Sequence, residues 1–191
     1  MKDRYIVELI DALEHTVFYL DGNILFGYED GILRMVDCFT EHKKNETHVF
    51  FIGNGGSSAI ASHMTADFMK NGGMKTYSLY DNAVITCMGN DYGYASIFSK
   101  PMEFLAKEGD LVVAISCSGN SPNIISAVEV AKKKGVSVIT LTGFQPNNQL
   151  RQIGNMNVYV PCEKYGIVES IHNLILQQTV DMILERDGLG F

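Results

Sequence analysis

Two turns rich in glycine and serine are the parts of this chain whose residue types are best suited to chemistry. Residues 53–58 (Gly-Asn-Gly-Gly-Ser-Ser) follow the apolar run 49–52, and residues 116–121 (Ser-Cys-Ser-Gly-Asn-Ser) follow the apolar run 111–115. A strand that enters a helix through such a turn directs backbone N–H groups and the positive end of the helix dipole at one point. That point suits a phosphate group, and two such turns in one sheet can share a single phosphorylated ligand.

The residues around the two turns indicate which kind of phosphate is expected. No Gly-Lys-Ser/Thr follows either turn, and the first turn lacks the third glycine of a dinucleotide fingerprint. The turns contain five serines instead, whose hydroxyl groups can donate hydrogen bonds to phosphate oxygens: Ser57, Ser58, Ser116, Ser118 and Ser121. The pattern therefore favours a sugar phosphate over a nucleotide, and nothing in the sequence implies a nucleotide or redox cofactor.

Length, charge and cysteine usage exclude several other classes of protein. A chain of 191 residues is expected to form one domain. Its net charge of −7 argues against nucleic acid as a partner. The four cysteines form no CxxC pair and follow no signal peptide, so reduced thiols and a cytoplasmic location are predicted. The apolar runs are too short for a membrane span, and no membrane association is expected.

Helical and strand patterns alternate along the chain. Helices are predicted at residues 3–20, 26–42, 58–69, 83–88, 97–107, 121–134 and 167–185. Strands are predicted at residues 48–52, 76–79, 110–115, 137–142 and 157–160. This alternation predicts an α/β protein with a parallel sheet covered on both faces. Ligands of such sheets lie beyond the carboxyl ends of the strands, where both turns are found.

Four motifs, in their order and spacing, resemble the sugar isomerase (SIS) domain family, and most closely its phosphoheptose isomerase branch. They are residues 53–57 (Gly-Asn-Gly-Gly-Ser), 89–93 (Gly-Asn-Asp-Tyr-Gly), 116–121 and 138–143 (Val-Ile-Thr-Leu-Thr-Gly). The resemblance implies a flavodoxin-like three-layer α/β/α sandwich with a mostly parallel sheet. Residues 1–191 would form a single SIS domain, with 1–45 as an N-terminal helical extension. It also implies a homotetramer with active sites between subunits.

The same resemblance implies an activity and a set of substrate contacts. Family members of this branch convert sedoheptulose 7-phosphate, a ketose phosphate, to an aldose heptose 7-phosphate through an enediol. The residues implied to contact the phosphosugar are Asn54, Gly55, Gly56, Ser57, Asn90, Asp91, Ser116, Cys117, Ser118 and Ser121. Cys117 stands where the family usually has threonine, so one side-chain contact differs while the backbone amide is kept.

The catalytic groups implied by the resemblance are permuted in this chain. Aldose–ketose isomerisation needs a carboxylate or imidazole to carry a proton, and an acid or metal ion to stabilise charge on oxygen. The family places a histidine and a glutamate four residues apart on one helix, and a glutamine and a histidine eight apart on the closing helix. The corresponding residues here are His63, Asp67, Glu169 and Gln177. We expect Glu169 to be the base, with His63 or His172 assisting and Asp67 beside His63. The four aligned side chains could also hold a zinc ion.

Each of these residues also has a structural interpretation. Asp67 could form an ordinary ion pair, and Glu169 is favoured in the first turn of a helix by the dipole alone. His172 could be structural or lie between subunits, and Gln177 could be a solvated or interface residue.

The sequence is also consistent with a function of a different class, that of a binding module without catalytic activity. Some members of the family are catalytically silent modules that bind a sugar phosphate or a protein partner, and they lack the closing-helix histidine as this chain does. The retained carboxylate at position 169 and the intact turns favour the enzyme.

Overall fold

The computed structural model describes residues 4–21 and 24–189 as a layered α/β structure. Its helices are α1 (Arg4–Glu14), α2 (Tyr28–Lys44), α3 (Gly56–Lys70), α4 (Asn82–Tyr92), α5 (Ser99–Leu105), α6 (Pro122–Lys133), α7 (Gln149–Ile153) and α8 (Tyr165–Arg186). Its strands are β1 (Val17–Leu20), β2 (Ile24–Phe26), β3 (His48–Gly53), β4 (Lys75–Ser78), β5 (Leu111–Ser116), β6 (Ser137–Thr142) and β7 (Met156–Tyr159). A 3₁₀ turn at Tyr94–Ser96 joins α4 to α5. No helix of the described residues combines the length and apolar character that crossing a membrane requires.

The strands form one sheet in the order β2-β1-β7-β6-β5-β3-β4. Strands β7, β6, β5, β3 and β4 run parallel, while β1 is antiparallel to β7 and β2 to β1. The predicted mostly parallel sheet is confirmed. Strand β3 pairs with β4 on one side and with β5 on the other, so the strand order reverses direction at β3. Such a switch point opens a crevice at the carboxyl ends of the strands, and both glycine/serine turns lie there.

Two apolar cores cover the two faces of the sheet. Val49 and Phe51 of β3 pack with α2, α3 and α8 on one face. Phe50 and Ile52 of the same strand pack with α5 and α6 on the other face. Because the strand is buried on both sides, it is apolar at consecutive positions rather than at alternate ones. The result is the expected three-layer sandwich, in which the helices that follow the two turns lie on opposite faces.

The N-terminal region departs from the prediction. The helix predicted over 3–20 ends at Glu14, and residues 17–20 form β1, which pairs with β7. The helix predicted from residue 26 begins at Tyr28, because residues 24–26 form β2. Residue 3 lies outside the described residues. The predicted N-terminal helical extension, 1–45, therefore also contains two strands, because pairing within the sheet overrides the helical spacing there.

The other predicted elements lie within a few residues of the observed ones. The largest difference is α4, which continues to Tyr92 and so carries Asn90 and Asp91 on a helix. Helix α7 is absent from the sequence prediction because only five residues form it, too few for a helical pattern.

We expect Gly31→Ala to destabilise the protein by about 1–3 kcal/mol, because there is no room for a methyl group between α2 and β1. A Cβ at Gly31 would overlap the Phe18 ring and lie 2.8 Å from the Phe18 Cβ. The measurement is the free energy of unfolding in urea. Gly27→Ala is the matched control, since a Cβ at Gly27 meets no atom within 4 Å. Equal stabilities of the two variants would show that α2 and β1 are not packed this closely.

Candidate active site

A cavity of about 110 Å³ lies at the switch point of the sheet, between the two turns and the first turn of α8. It is lined by Asn54, Ser57, Ile115, Ser116, Cys117, Ser118, Ser121, Tyr165 and Glu169. Seven of these nine belong to the predicted substrate-contacting or catalytic residues. The structure thus brings both glycine/serine turns and the predicted base to one place.

The first turn is held in a conformation that places the start of α3 at the cavity. Gly55 has a φ of 55°, in the region that favours glycine, and it precedes α3 without any side-chain cap. Tyr80 secures the beginning of this turn, because its hydroxyl accepts from the Gly53 N–H at 2.7 Å and donates to the Gly53 carbonyl at 2.9 Å. Burial raises the pKa of Tyr80, so the phenol stays protonated and can make both bonds. Sequence reasoning missed Tyr80 because it lies 27 residues away from the turn.

The second turn presents hydroxyl groups at the beginning of α6. The Ser116 and Ser121 Oγ atoms lie 3.3 Å apart, and Ser118 Oγ accepts from the Asn120 N–H at 3.3 Å. Helix α6 begins at Pro122 and has no side-chain cap, which leaves its N-terminus facing the turn. An uncapped N-terminus beside three serines is a typical environment for an anion.

A pair of asparagines joins the first turn to the start of α6, directly after the second turn. Asn54 donates from Nδ2 to Oδ1 of Asn123 at 2.9 Å, and Asn123 donates from Nδ2 to Oδ1 of Asn54 at 2.8 Å. The hydroxyl of Tyr94 also donates to Oδ1 of Asn54, at 3.3 Å. Sequence reasoning did not select Asn123, and its place two residues after the second turn was the only available signal.

Glu169 lies on the opposite wall of the cavity, against the first residue of α3. Its carboxylate packs so closely on Gly56 that a Cβ there would come within 2.5 Å of Glu169 Cδ. The carboxylate is therefore next to the positive end of the α3 dipole.

Cys117 is a neutral thiol beside this carboxylate. Burial and the negative charge of Glu169 raise the pKa of the Cys117 thiol to about 12, and its Sγ lies 4.0 Å from Ser57 Oγ. A protonated thiol is a poor nucleophile, so Cys117 is not expected to act as a reactive cysteine.

Comparison with known proteins decides the family. A model of the SIS domain matches residues 27–143, which contain both turns. The chain belongs to the SIS domain family. A phosphoheptose isomerase from Aliarcobacter butzleri is 33% identical over 193 residues, covering 98% of each chain. A phosphoheptose isomerase structure from Francisella tularensis has a TM-score of 0.82 at 30% identity, covering 95% of each chain. The structure of phosphoheptose isomerase GmhA from Neisseria gonorrhoeae has a TM-score of 0.81 at 29% identity, covering 94% of this chain and 95% of that one.

The SIS domain places His63 and Asp67 together but away from the cavity. Both are on α3, where His63 Nε2 lies 3.2 Å from Asp67 Oδ2, and His63 is exposed while Asp67 is mostly covered. Gln177 is half-buried two turns after Glu169 on α8. Among the described residues, no three His, Cys, Asp or Glu side chains are arranged to hold a metal ion. Zinc binding by His63, Asp67, Glu169 and Gln177 stays a prediction.

His172 is buried inside the SIS domain and does not reach the cavity. Its side chain has no exposed surface, and its Nε2 donates to the carbonyl oxygen of Thr142 at 3.2 Å. Burial lowers the pKa of His172 to about 4, so the imidazole is neutral at pH 7. The prediction that His172 acts as a partner acid is wrong, because a neutral ring without access to the cavity cannot protonate a substrate. It anchors the end of β6 instead.

We expect acid to destabilise the domain through His172. Its pKa is about 4 in the folded state against 6.5 as the ordinary value, so the unfolded chain binds the additional proton. The contribution of neutral His172 to the free energy of unfolding is fully present above pH 6.5. It is lost as the pH decreases from 6.5 towards 4, by about 3 kcal/mol in total. The free energy of unfolding, measured in urea at several pH values across this range, should depend less on pH in His172→Gln than in wild type. The glutamine amide can still donate to Thr142. The same pH dependence in the variant and in wild type would assign the acid sensitivity to other groups.

Asn90 and Asp91 lie at the end of α4, outside the cavity. Asn90 Nδ2 donates to Asp91 Oδ1 at 2.8 Å, and both side chains are exposed. Helix α4 buries none of its residues. Their predicted contact with the substrate stays a prediction, and Tyr94 is the link from this region to Asn54.

Proposed function

We propose that this SIS domain is a phosphosugar isomerase that interconverts a ketose phosphate and an aldose phosphate of the sedoheptulose 7-phosphate type. The observation that carries the proposal is the carboxylate of Glu169 on the wall of a cavity formed by two phosphate-type turns. Relatives named phosphoheptose isomerase that align along 98% of the chain support the same reaction class. Cavity, base and family thus agree on one chemistry.

The residues of the cavity divide the reaction between binding and proton transfer. Ser116, Ser118 and Ser121 with the N-terminus of α6 hold the phosphate. Glu169 takes the proton from C1 of the open-chain ketose while the C2 carbonyl oxygen gains a proton, which forms the enediol. Return of the proton from Glu169 to C2, with loss of the O1 hydroxyl proton, gives the aldose. The dipole of α3 next to Glu169 stabilises negative charge that develops on the enediol oxygens.

Proton exchange with solvent tests this proposal directly. Sedoheptulose 7-phosphate is incubated with the purified protein in D2O and followed by NMR. We expect deuterium at the carbon next to the carbonyl and the appearance of aldose signals. Sedoheptulose without the phosphate is the matched control and should exchange far more slowly. Thermal stabilisation by the sugar phosphate without any exchange would instead favour the silent binding module.

We also propose that the chain assembles as a homotetramer in the cytoplasm, where its four cysteines stay reduced. All four are free thiols in the structure. Helix α1 supports assembly, because Ile6, Val7 and Ile10 are each about half exposed on its surface. Isolated apolar residues are ordinary on a surface, but a continuous apolar patch marks an interaction site.

The double variant Ile6→Glu/Ile10→Glu should therefore reduce the molecular mass in solution from that of a tetramer towards that of smaller species. Light scattering after size-exclusion chromatography measures this mass. Glu14→Lys, an exposed charge change on the same helix, should leave the mass unchanged. A monomeric wild-type protein would contradict the proposed assembly.

A further inference from the structure

We propose that Asn123 is a positioning residue that sets the separation of the two turns, so that one sugar phosphate can contact both. Asn123 does this through its reciprocal amide pair with Asn54. The inference rests on the proposed function in one respect, namely that the ligand extends from the second turn to the first.

The pair is well placed to control this separation. Gly53 and Ile115 are the last residues paired between β3 and β5, so no ladder hydrogen bond connects the two turns beyond Gly53. The helices that follow, α3 and α6, pack against opposite faces of the sheet. Among the described residues, the side-chain hydrogen bond between the two turns themselves is that of Ser57 Oγ and Cys117 Sγ at 4.0 Å, a weak sulfur hydrogen bond.

Burial makes the amide pair stronger than a comparable pair on the surface. Asn123 is 1% exposed. Asn54 is half-buried, so both hydrogen bonds are partly shielded from water. They define both distance and orientation, and breaking them leaves the buried amide of Asn123 without these partners. The pair therefore resists movement of one turn relative to the other.

The same contacts orient Asn54 towards the cavity. Its Oδ1 accepts from both Asn123 and Tyr94, while one of the two N–H groups on Nδ2 is used by Asn123. A primary amide has a second N–H to donate. Because Asn54 also lines the cavity, that N–H is available to a sugar oxygen. Asn123 thus acts on the ligand through Asn54 and not by touching it.

The test compares two ligands on variants of Asn123. Asn123→Leu keeps the volume of the side chain without its hydrogen bonds, and Asn123→Ser serves if the leucine variant does not fold. Inorganic phosphate, held by the second turn, is expected to bind within about twofold of the wild-type affinity. Sedoheptulose 7-phosphate, which contacts both turns, is expected to bind about tenfold more weakly, as one lost hydrogen bond to a correctly placed donor predicts.

An equally buried asparagine provides the matched control. Asn157 is also 1% exposed, but its amide donates to Thr140 and Thr142 on the neighbouring strand. Asn157→Leu and Asn157→Ser should lower stability without changing the ratio of the two affinities. If the Asn123 variants keep the wild-type ratio of the affinities for phosphate and sedoheptulose 7-phosphate, including by an equal loss for both ligands, the positioning role is overturned.

Hydrogen exchange separates this inference from the proposed function. In the ligand-free protein, the amides of residues 54–58 should exchange about tenfold faster in the Asn123 variants than in wild type, and not in the Asn157 variants. If the wild type exchanges no substrate proton but the turn amides respond in this way, the isomerase proposal fails and the positioning role stands. Unchanged protection of these amides would refute the positioning role whatever the activity.

Discussion

Glu169→Gln is expected to lower kcat/KM for isomerisation by about 10²- to 10⁴-fold, the usual contribution of a general base. Glutamine has the same size as glutamate but cannot accept a proton from carbon. The side chain can still pack on Gly56 at the start of α3, so the cavity should keep its shape. The measurements are steady-state kinetics and the rate of deuterium incorporation into the sugar phosphate, which should decrease by the same factor.

The affinity for the ligand shows whether the loss is chemical. The dissociation constant of sedoheptulose 7-phosphate should remain within about threefold of wild type, since in the proposed mechanism the serines of the second turn hold the phosphate. Glu163→Gln makes the same change outside the cavity, where Glu163 pairs with Gln145, and should leave kcat/KM unaltered. Full activity of Glu169→Gln would move the base elsewhere and make the pair His63–Asp67 the next one to test.

Gly56→Ala is expected to reduce kcat by about 100-fold while the protein remains folded. A methyl group at position 56 would occupy the space of the Glu169 carboxylate, with Glu169 Cδ only 2.5 Å away. The overlap is with the end of a flexible side chain, so the domain can relieve it by moving Glu169. Displacing a catalytic group by about 1 Å can reduce a rate by about this factor.

Two comparisons connect the effect of Gly56→Ala to Glu169. Thermal unfolding should resemble that of Gly27→Ala, whose added methyl group meets open space. In a protein that already carries Glu169→Gln, adding Gly56→Ala should cost little further activity, because both changes remove one function. A further 100-fold loss in the double variant would mean that Gly56 acts on the substrate independently of Glu169.

Local chemistry was enough to predict much of this protein from its sequence. The apolar runs of β3 and β5 followed by glycine and serine residues predicted two strand–turn–helix units, and the alternation of elements predicted the parallel sheet. Parallel strands place their carboxyl ends at one edge, so the proximity of the two turns followed from the same reasoning. The helical pattern and the resemblance to SIS domains then placed Glu169 at the start of the closing helix, whereas in the structure α8 begins at Tyr165 and Glu169 is its fifth residue.

Tertiary packing decided the rest. Val17–Leu20 had the spacing of a helix, but pairing with β7 made it a strand. His172 is three residues from Glu169, yet its position on α8 turns it into the core, where burial keeps the ring neutral. The contact of Asn54 with Asn123 joins residues 69 positions apart, and local sequence has no information about such a pair. Residue type and spacing determine which turns and helices form, whereas long-range packing determines which side chains meet, because those contacts depend on how separate elements are stacked.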